Sequence, residues 1–369
     1  IDAASTGITA SGNSTRSVMT SILGRVFYSY DNRYLVTATI RRDGSSKFGK
    51  NNRYGNFPSV SVGWNVAEES FNKGKVNWLD QLKLRGGYGV LGNQEISDYQ
   101  YVSVVTTGIN YPDGKSGLIK GAFPKTFANP DIRWEETAMT NIGIELMALN
   151  NRLSLTADWY VKNTKDILLN VPIPISTGGA NDPIRNAGKI QNTGVEFNLG
   201  WNDRISNDLS YGLSFIGTYN KNEVKEMGSE SQAITGGTIH GGTYTTKTIA
   251  GYPIGGFWLI KTDGYFNSVD EVNRHSKDGV LIQPSAEPGD VRFVDENGNG
   301  TIDDDDRVYC GSPFPKFTYA FNANVTYKNF DLSLGFQGVA GNKIYNATRL
   351  QLEDVTRGTN YLASCLDYW

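Results

Sequence analysis

The stretch 141–161, "NIGIELMALNNRLSLTADWYV", decides how the chain is read. Ile142, Ile144 and Leu146 alternate with Asn141, Gly143 and Glu145, so that in an extended chain the two sets point to opposite faces. After Asn150 and Asn151 the alternation resumes, with Leu153, Leu155, Ala157, Trp159 and Val161 set against Ser154, Thr156, Asp158 and Tyr160. A period of two on both sides of a short polar turn predicts an antiparallel hairpin with one apolar and one polar face.

The same device recurs. Val195, Phe197, Leu199 and Trp201 lead through "NDRISND" to Leu209, Tyr211, Leu213 and Phe215. Phe317, Tyr319, Phe321, Ala323 and Val325 lead through "YKNF" to Leu332, Leu334 and Phe336, and Val26, Tyr28 and Tyr30 lead through "DNR" to Tyr34, Val36, Ala38 and Ile40. The opposite connections are long and polar: "RRDGSSKFGKNNRYGN" at 41–56, then the stretches around 107–133, 163–192 and 221–315. Short turns on one side and long loops on the other are the asymmetry of an outer-membrane barrel, with short periplasmic turns and long extracellular loops. Tyr and Trp near strand ends fit its interfacial girdles.

Composition agrees. In 369 residues the 42 Gly, 20 Tyr, 16 Phe and 7 Trp favour strands over helices. Lys and Arg number 35 against 38 acidic residues, a net charge of -3 with no basic block, which argues against nucleic acid. Cys310 and Cys365, like His240 and His275, lack metal spacing, so zinc and haem are poorly supported. No run of eighteen apolar residues exists, which excludes a membrane-spanning helix but not membrane strands. About ten strands are expected. An open sheet of that kind leaves two edges that lipid does not tolerate, so the chain is read as part of a larger barrel. "IDAASTG" has no start methionine or signal peptide and suggests a processed or truncated start, and "LASCLDYW" does not read as a closing strand. The expected organisation is barrel strands over 1–220, a long extracellular loop region over 221–315, and further strands with the start of another loop over 316–369.

The long loop contains "FVDENGNGTIDDDDR" at 293–307. With Asp295 as position one, Asn297, Asn299, Thr301, Asp303 and Asp306 take positions three, five, seven, nine and twelve of a calcium loop, with Gly300 at the sharp turn. Asp rather than Glu at the last position predicts weaker binding than in an intracellular sensor, and "VRFV" ahead of the loop does not read as a flanking helix. The competing reading is a polar hairpin turned at "NGNG". Tyr252, Phe257, Trp258, Tyr265 and Phe266 are candidates for cargo or partner contact, against the plainer reading that they pack the loop. Glu145, Asp158 and Glu196 are expected on the lumen face. A Cys310–Cys365 disulfide suits an oxidising envelope, though the spacing proves nothing. No nucleophile elbow, P-loop or catalytic constellation is present, so the chain is not read as an enzyme.

"FPSVSVGWNVAEESF", "WLDQLKLRGGYGVLGNQEISDYQY", "NPDIRWEETAMTNIGIEL", "NAGKIQNTGVEFNLGW" and the run 289–346 resemble, in order, the C-terminal half of SusC/RagA-like TonB-dependent transporters of Bacteroidetes. Cys310 departs from this pattern, where an aliphatic residue is expected. The resemblance implies an all-β transmembrane antiparallel barrel of about 22 strands with a plug, crossing the outer membrane many times in contact with its lipid. It also implies a SusD-like lipoprotein lid and energy delivered by TonB through a plug that this chain lacks. Oligosaccharide import is the expectation. Peptide import of the RagA type, a soluble calcium-dependent glycan-binding β-domain, and a siderophore or haem receptor are the alternatives.

Overall fold

A computed structural model describes residues 14–112, 114, 117–171, 173, 176, 182–228, 233–237, 243–354, 358 and 360–367; His240, the opening "IDAASTG" and residues 368 and 369 lie outside them. The chain divides into two compact units, residues 1–191 with 226–231, and residues 192–225 with 232–369.

In the first unit Met19–Tyr30, Tyr34–Ser45, Tyr54–Asn65, Leu79–Asn93, Glu135–Ala148 and Leu153–Lys165 form an antiparallel meander, each strand paired with the next. Register turns the sequence alternation into rows across the sheet. Tyr28, Val36, Val62, Gly86, Ile142 and Trp159 lie side by side on one face. One residue along, Phe27, Thr37, Ser61, Gly87, Asn141 and Tyr160 lie on the other, beside Leu35, Gly63, Arg85, Gly143 and Asp158. Val26, Tyr28, Val62, Ile142 and Trp159 are exposed. A continuous apolar face of this extent calls for lipid or another cover.

The tight turns use left-handed backbone. Asp31 and Asn32 have φ near 50° and 51°, and Leu149, Asn150 and Asn151 have 63°, 59° and 60°. Asn and Asp tolerate this region. At the opposite end the connections fold over one another, where Phe48, Phe57, Ile96, Ile132 and Trp134 make a small buried core. The Trp134 ring lies 5.1 Å from Phe48 and 5.4 Å from Phe57, and its indole N–H donates to the Arg53 carbonyl at 3.2 Å. This corrects the reading of 41–56 as one polar loop. Its two ends are strand, and Phe48 between them is fully buried.

In the second unit Leu209–Glu226 pairs with Phe317–Tyr327, and that strand with Phe330–Ala340; Lys189–Ser206 borders Leu209–Glu226. The apolar rows are Tyr211, Val325 and Leu332; Leu213, Ala323 and Leu334; and Phe215, Phe321 and Phe336. Leu209–Glu226 continues past residue 220, where the loop region was expected to begin.

The described residues of the connection 227–316 form elements of their own. Ile234–Gly236, Thr246–Thr248, Gly256–Ile260 and Arg307–Gly311 form a four-stranded sheet. Thr262–Tyr265 pairs with Val291–Phe293, and the helix Val269–Arg274 starts at Ser268, whose hydroxyl accepts the Glu271 N–H. No helix among the described residues is long and apolar enough to cross a membrane. Ala363–Leu366, within "LASCLDYW", is a short 3-10 turn.

Candidate functional site

Among the described residues four places carry chemistry: the polar face of the first unit, a knot of side chains at its turn end, the acidic loop, and an aromatic cluster in the second unit.

On the polar face, Arg85 joins two neighbouring strands. Its guanidinium meets Glu145 at 2.9 Å and also pairs with Asp158, while Lys83 stands 3.7 Å from Glu145. Gly143 makes room for this group, since a side chain there would run into Asp158 and Arg85. Glu145 and Asp158 therefore lie on the face opposite Ile142 and Trp159, and Glu196 is exposed in the second unit. The basic partners were overlooked in the sequence, although Lys83 and Arg85 stand at the polar phase of "LKLRGG". Higher on this wall Asp43 is fully buried and ion-paired with Arg41 at 2.7 Å.

At the turn end, Glu69 accepts bonds from the Tyr34 hydroxyl at 2.6 Å, the Trp64 indole at 2.9 Å and Arg33 at 3.2 Å. These bonds, the Tyr34 hydroxyl first, hold its carboxyl below the ordinary value against the opposing effect of burial. No sequence signal marked this knot, because its members come from separate turns.

In the acidic loop Asp295, Asn297, Asn299, Asp303 and Asp306 each accept N–H groups of the loop's own backbone. The Asp295 carboxylate accepts the Asn299 N–H at 3.1 Å and the Gly300 N–H at 2.8 Å. Asn297 accepts the Asn299 N–H, and Asn299 accepts both the N–H and the hydroxyl of Thr301. Asp303 caps the 3-10 turn Asp304–Asp306 and accepts the Asp305 N–H. Asp306, fully buried, accepts from Glu296 at 2.9 Å, Asn297 at 3.2 Å and Asp303 at 2.9 Å. Burial alone would raise the Asp306 carboxyl. The N–H groups of Asp303, Asn297 and Glu296, with Asp295 alongside, hold it lower. Among the described residues no three acidic, His or Cys side chains converge as a metal cluster. Short strands on either side replace the helices of a sensor hand, as "VRFV" suggested.

The aromatic candidates divide. Tyr252 meets Trp258 edge-on at 4.9 Å, and Tyr309, distant in sequence, lies 5.2 Å from Tyr252 and 6.0 Å from Trp258. Phe257 is half-buried in the four-stranded sheet, opposite Thr246 and Gly311. Tyr265 is exposed. Phe266 is fully buried against His275, at 5.5 Å, and has no surface to offer cargo or partner; on this residue the expectation of contact is corrected. Cys310 and Cys365 are both free thiols.

Residues 3–339 match the family model described as TonB dependent receptor-like, beta-barrel. The chain is 34% identical to the TonB-dependent receptor SusC of Bacteroides thetaiotaomicron over 90% of this chain and 32% of that protein. It is 33% identical to TonB-dependent receptor P39 of Formosa agariphila over 91% of this chain and 34% of that one. Among solved structures, that of the RagAB peptide transporter is similar with a TM-score of 0.75 and 27% identity, over 96% of this chain and 37% of the other. The chain thus spans about a third of the length of the curated relatives it matches.

Proposed function

We propose, because the chain belongs to the TonB-dependent receptor-like β-barrel family, that it forms part of an outer-membrane importer of the SusC type which takes up oligosaccharides with a SusD-like surface lipoprotein. The observation that carries this reading is the division of the strands into two faces. One bears exposed apolar rows suited to lipid, and the other a salt-bridged polar wall suited to an aqueous lumen. Transport then needs no bond-making by these residues. Cargo held between barrel and lipoprotein favours the closed lid, and TonB, pulling on a plug, opens the path.

The 34% identity to the TonB-dependent receptor SusC keeps the SusC type first, and oligosaccharide is the cargo expected from the resemblance to that type. The likeness to the RagAB peptide transporter supports peptide cargo as the second reading. Growth of a deletion strain on defined glycans and on peptides as sole nutrients separates them. Loss of growth on a glycan supports the first, and loss on peptides alone replaces it with the second. Recovery of the intact native protein in the soluble fraction without detergent would overturn both.

We also propose that Asp295, Asn297, Asn299, Asp303 and Asp306, with the Thr301 carbonyl, clasp one calcium ion as a structural clamp. The donors are all oxygens, as a hard cation requires, and a carboxylate oxygen that accepts one N–H keeps a further lone pair. The backbone bonds would then aim the ligands. The expected Kd is about 10⁻⁴–10⁻³ M. Titration of millimolar calcium with no change in hydrogen exchange over 295–306 would remove the ion.

A further inference from the structure

We infer that a recess where the connection 227–316 meets the strand Leu209–Glu226 is a carbohydrate subsite that takes a single pyranose ring. The recess encloses about 260 Å³ within the second unit, and its walls come from three segments, 219–223, 251–253 and 309–316. Main-chain bonds brace them. Val224 donates to the Tyr252 carbonyl at 2.9 Å and accepts from Gly251 at 2.8 Å, while Asn220 donates to the Lys316 carbonyl at 2.9 Å. The Asn222 side chain accepts the Ile254 N–H at 2.9 Å. The shape is therefore built by the backbone.

A pyranose offers an apolar C–H face and a rim of hydroxyls that donate and accept. Tyr252, Tyr309 and the half-exposed Phe314 match the first, with Trp258 packed behind both tyrosines. The second is matched by Lys221, whose ammonium meets Glu223 at 2.8 Å and keeps further donors, by Glu223, which also meets Lys225, and by the Ser312 hydroxyl, which accepts the Phe314 N–H and keeps its own proton to donate; Asn222, held between Ile254 and Asn192, keeps one amide hydrogen. Burial, with Tyr252 beside it, raises the Tyr309 hydroxyl above its ordinary value, so it stays neutral and can both donate and accept. The volume lies below the roughly 300–1,000 Å³ of pockets that enclose drug-sized ligands, which suits one ring with the rest of a chain projecting outward. An extended peptide would need a row of free main-chain groups. Those of Val224, Gly251, Tyr252, Asn220 and Lys316 are engaged with one another.

The ring could be supplied by a soluble oligosaccharide or by the sugar headgroup of an outer-leaflet glycolipid. Tyr219, Lys221 and Glu223 alternate on the strand face that carries Leu213 and Phe215 lower down, within reach of either source. The inference concerns binding alone and stands whether or not the import reading holds. It is tested on the purified intact protein that carries this chain, in detergent, by saturation-transfer NMR with millimolar methyl α-glucopyranoside, methyl β-galactopyranoside and methyl α-mannopyranoside, and with Ala-Tyr-Ala as the peptide control. At least one pyranoside should receive saturation at its ring protons. The effect should fall about fivefold in Phe314→Ala, whose ring is half-exposed, and less in Tyr309→Phe, which keeps the stacking face. An unchanged circular dichroism spectrum checks that each variant remains folded. Repeating the measurement in nanodiscs with added lipopolysaccharide identifies the source: displacement of the pyranoside assigns the site to the membrane sugar, and persistence assigns it to the soluble one. No transfer to any pyranoside, transfer equal in Phe314→Ala, or transfer to the peptide alone would overturn the assignment.

Discussion

Replacing Asp306 with alanine should open the loop 295–306 while leaving the strands below it paired. The buried carboxylate accepts three backbone N–H groups, from Glu296, Asn297 and Asp303, at 2.9, 3.2 and 2.9 Å. Hydrogen bonds to a charged group contribute about 1.5–3 kcal/mol each, which puts the intact set at roughly 4 kcal/mol or more. The flanking residues are exposed, so water would reach part of what the truncation frees. A net cost of about 2–3 kcal/mol follows, a shift of about 30- to 150-fold in the equilibrium between closed and open loop. Native-state hydrogen exchange in detergent reads this directly. The amides of Glu296, Asn297 and Asp303 should exchange faster by that factor, and those of Phe317–Tyr327 at the wild-type rate. Asp306→Asn should lie between, because its remaining oxygen can still serve Glu296 and Asn297 while its amide group faces the Asp303 N–H. Wild-type exchange at all three amides in Asp306→Ala would refute the idea that this carboxylate organises the loop.

Arg85→Ala removes the guanidinium that both Glu145 and Asp158 meet and leaves Lys83 beside Glu145; since the group is partly open to water, a loss of about 1–2 kcal/mol in detergent-solubilised unfolding is expected, and Arg85→Ala with Asp158→Asn should cost less than the sum of the two. Glu69 has its carboxyl lowered on folding, so its contribution is complete above the unfolded value of about 4.3 and is lost as pH falls through the lower folded value. Exchange in the turn 66–75, corrected for intrinsic rates, should therefore rise at pH below about 4, and Glu69→Gln should abolish that pH dependence. Phe266→Ala removes a fully buried ring and should cost about 3–5 kcal/mol within the connection 227–316, seen as faster limited proteolysis there. Tyr265→Ala, at an exposed neighbour, should change proteolysis little.

Hairpins such as 141–161 were legible because strand geometry projects onto the sequence with a fixed period. Ile142 and Trp159, seventeen residues apart in the chain but paired across one turn, could be assigned to one face from the period of two alone. The acidic loop was legible as a register of oxygen donors for the same reason, since its members are consecutive. The wall charges were only half legible. Glu145 and Asp158 could be placed by phase, but that Arg85 stands between them depends on which strand lies next in the sheet.

The connections were the least legible part. Phe48, Ile96, Ile132 and Trp134 are isolated apolar residues among polar neighbours, with no period to mark them, and they become a core only when three loops close over Phe57. Tyr252 and Tyr309 meet through the pairing of Gly256–Ile260 with Arg307–Gly311, and the same fold buries Phe266 while leaving Tyr265 exposed. By itself, then, the sequence determined strand phase, the two-faced character of the sheet and the sites of the tight turns, all of which follow from local chain geometry. Which polar side chains neutralise one another, which aromatics are buried and where a ring-sized recess opens were decided only by tertiary structure, because each depends on residues brought together from distant segments whose separation carries no period to read.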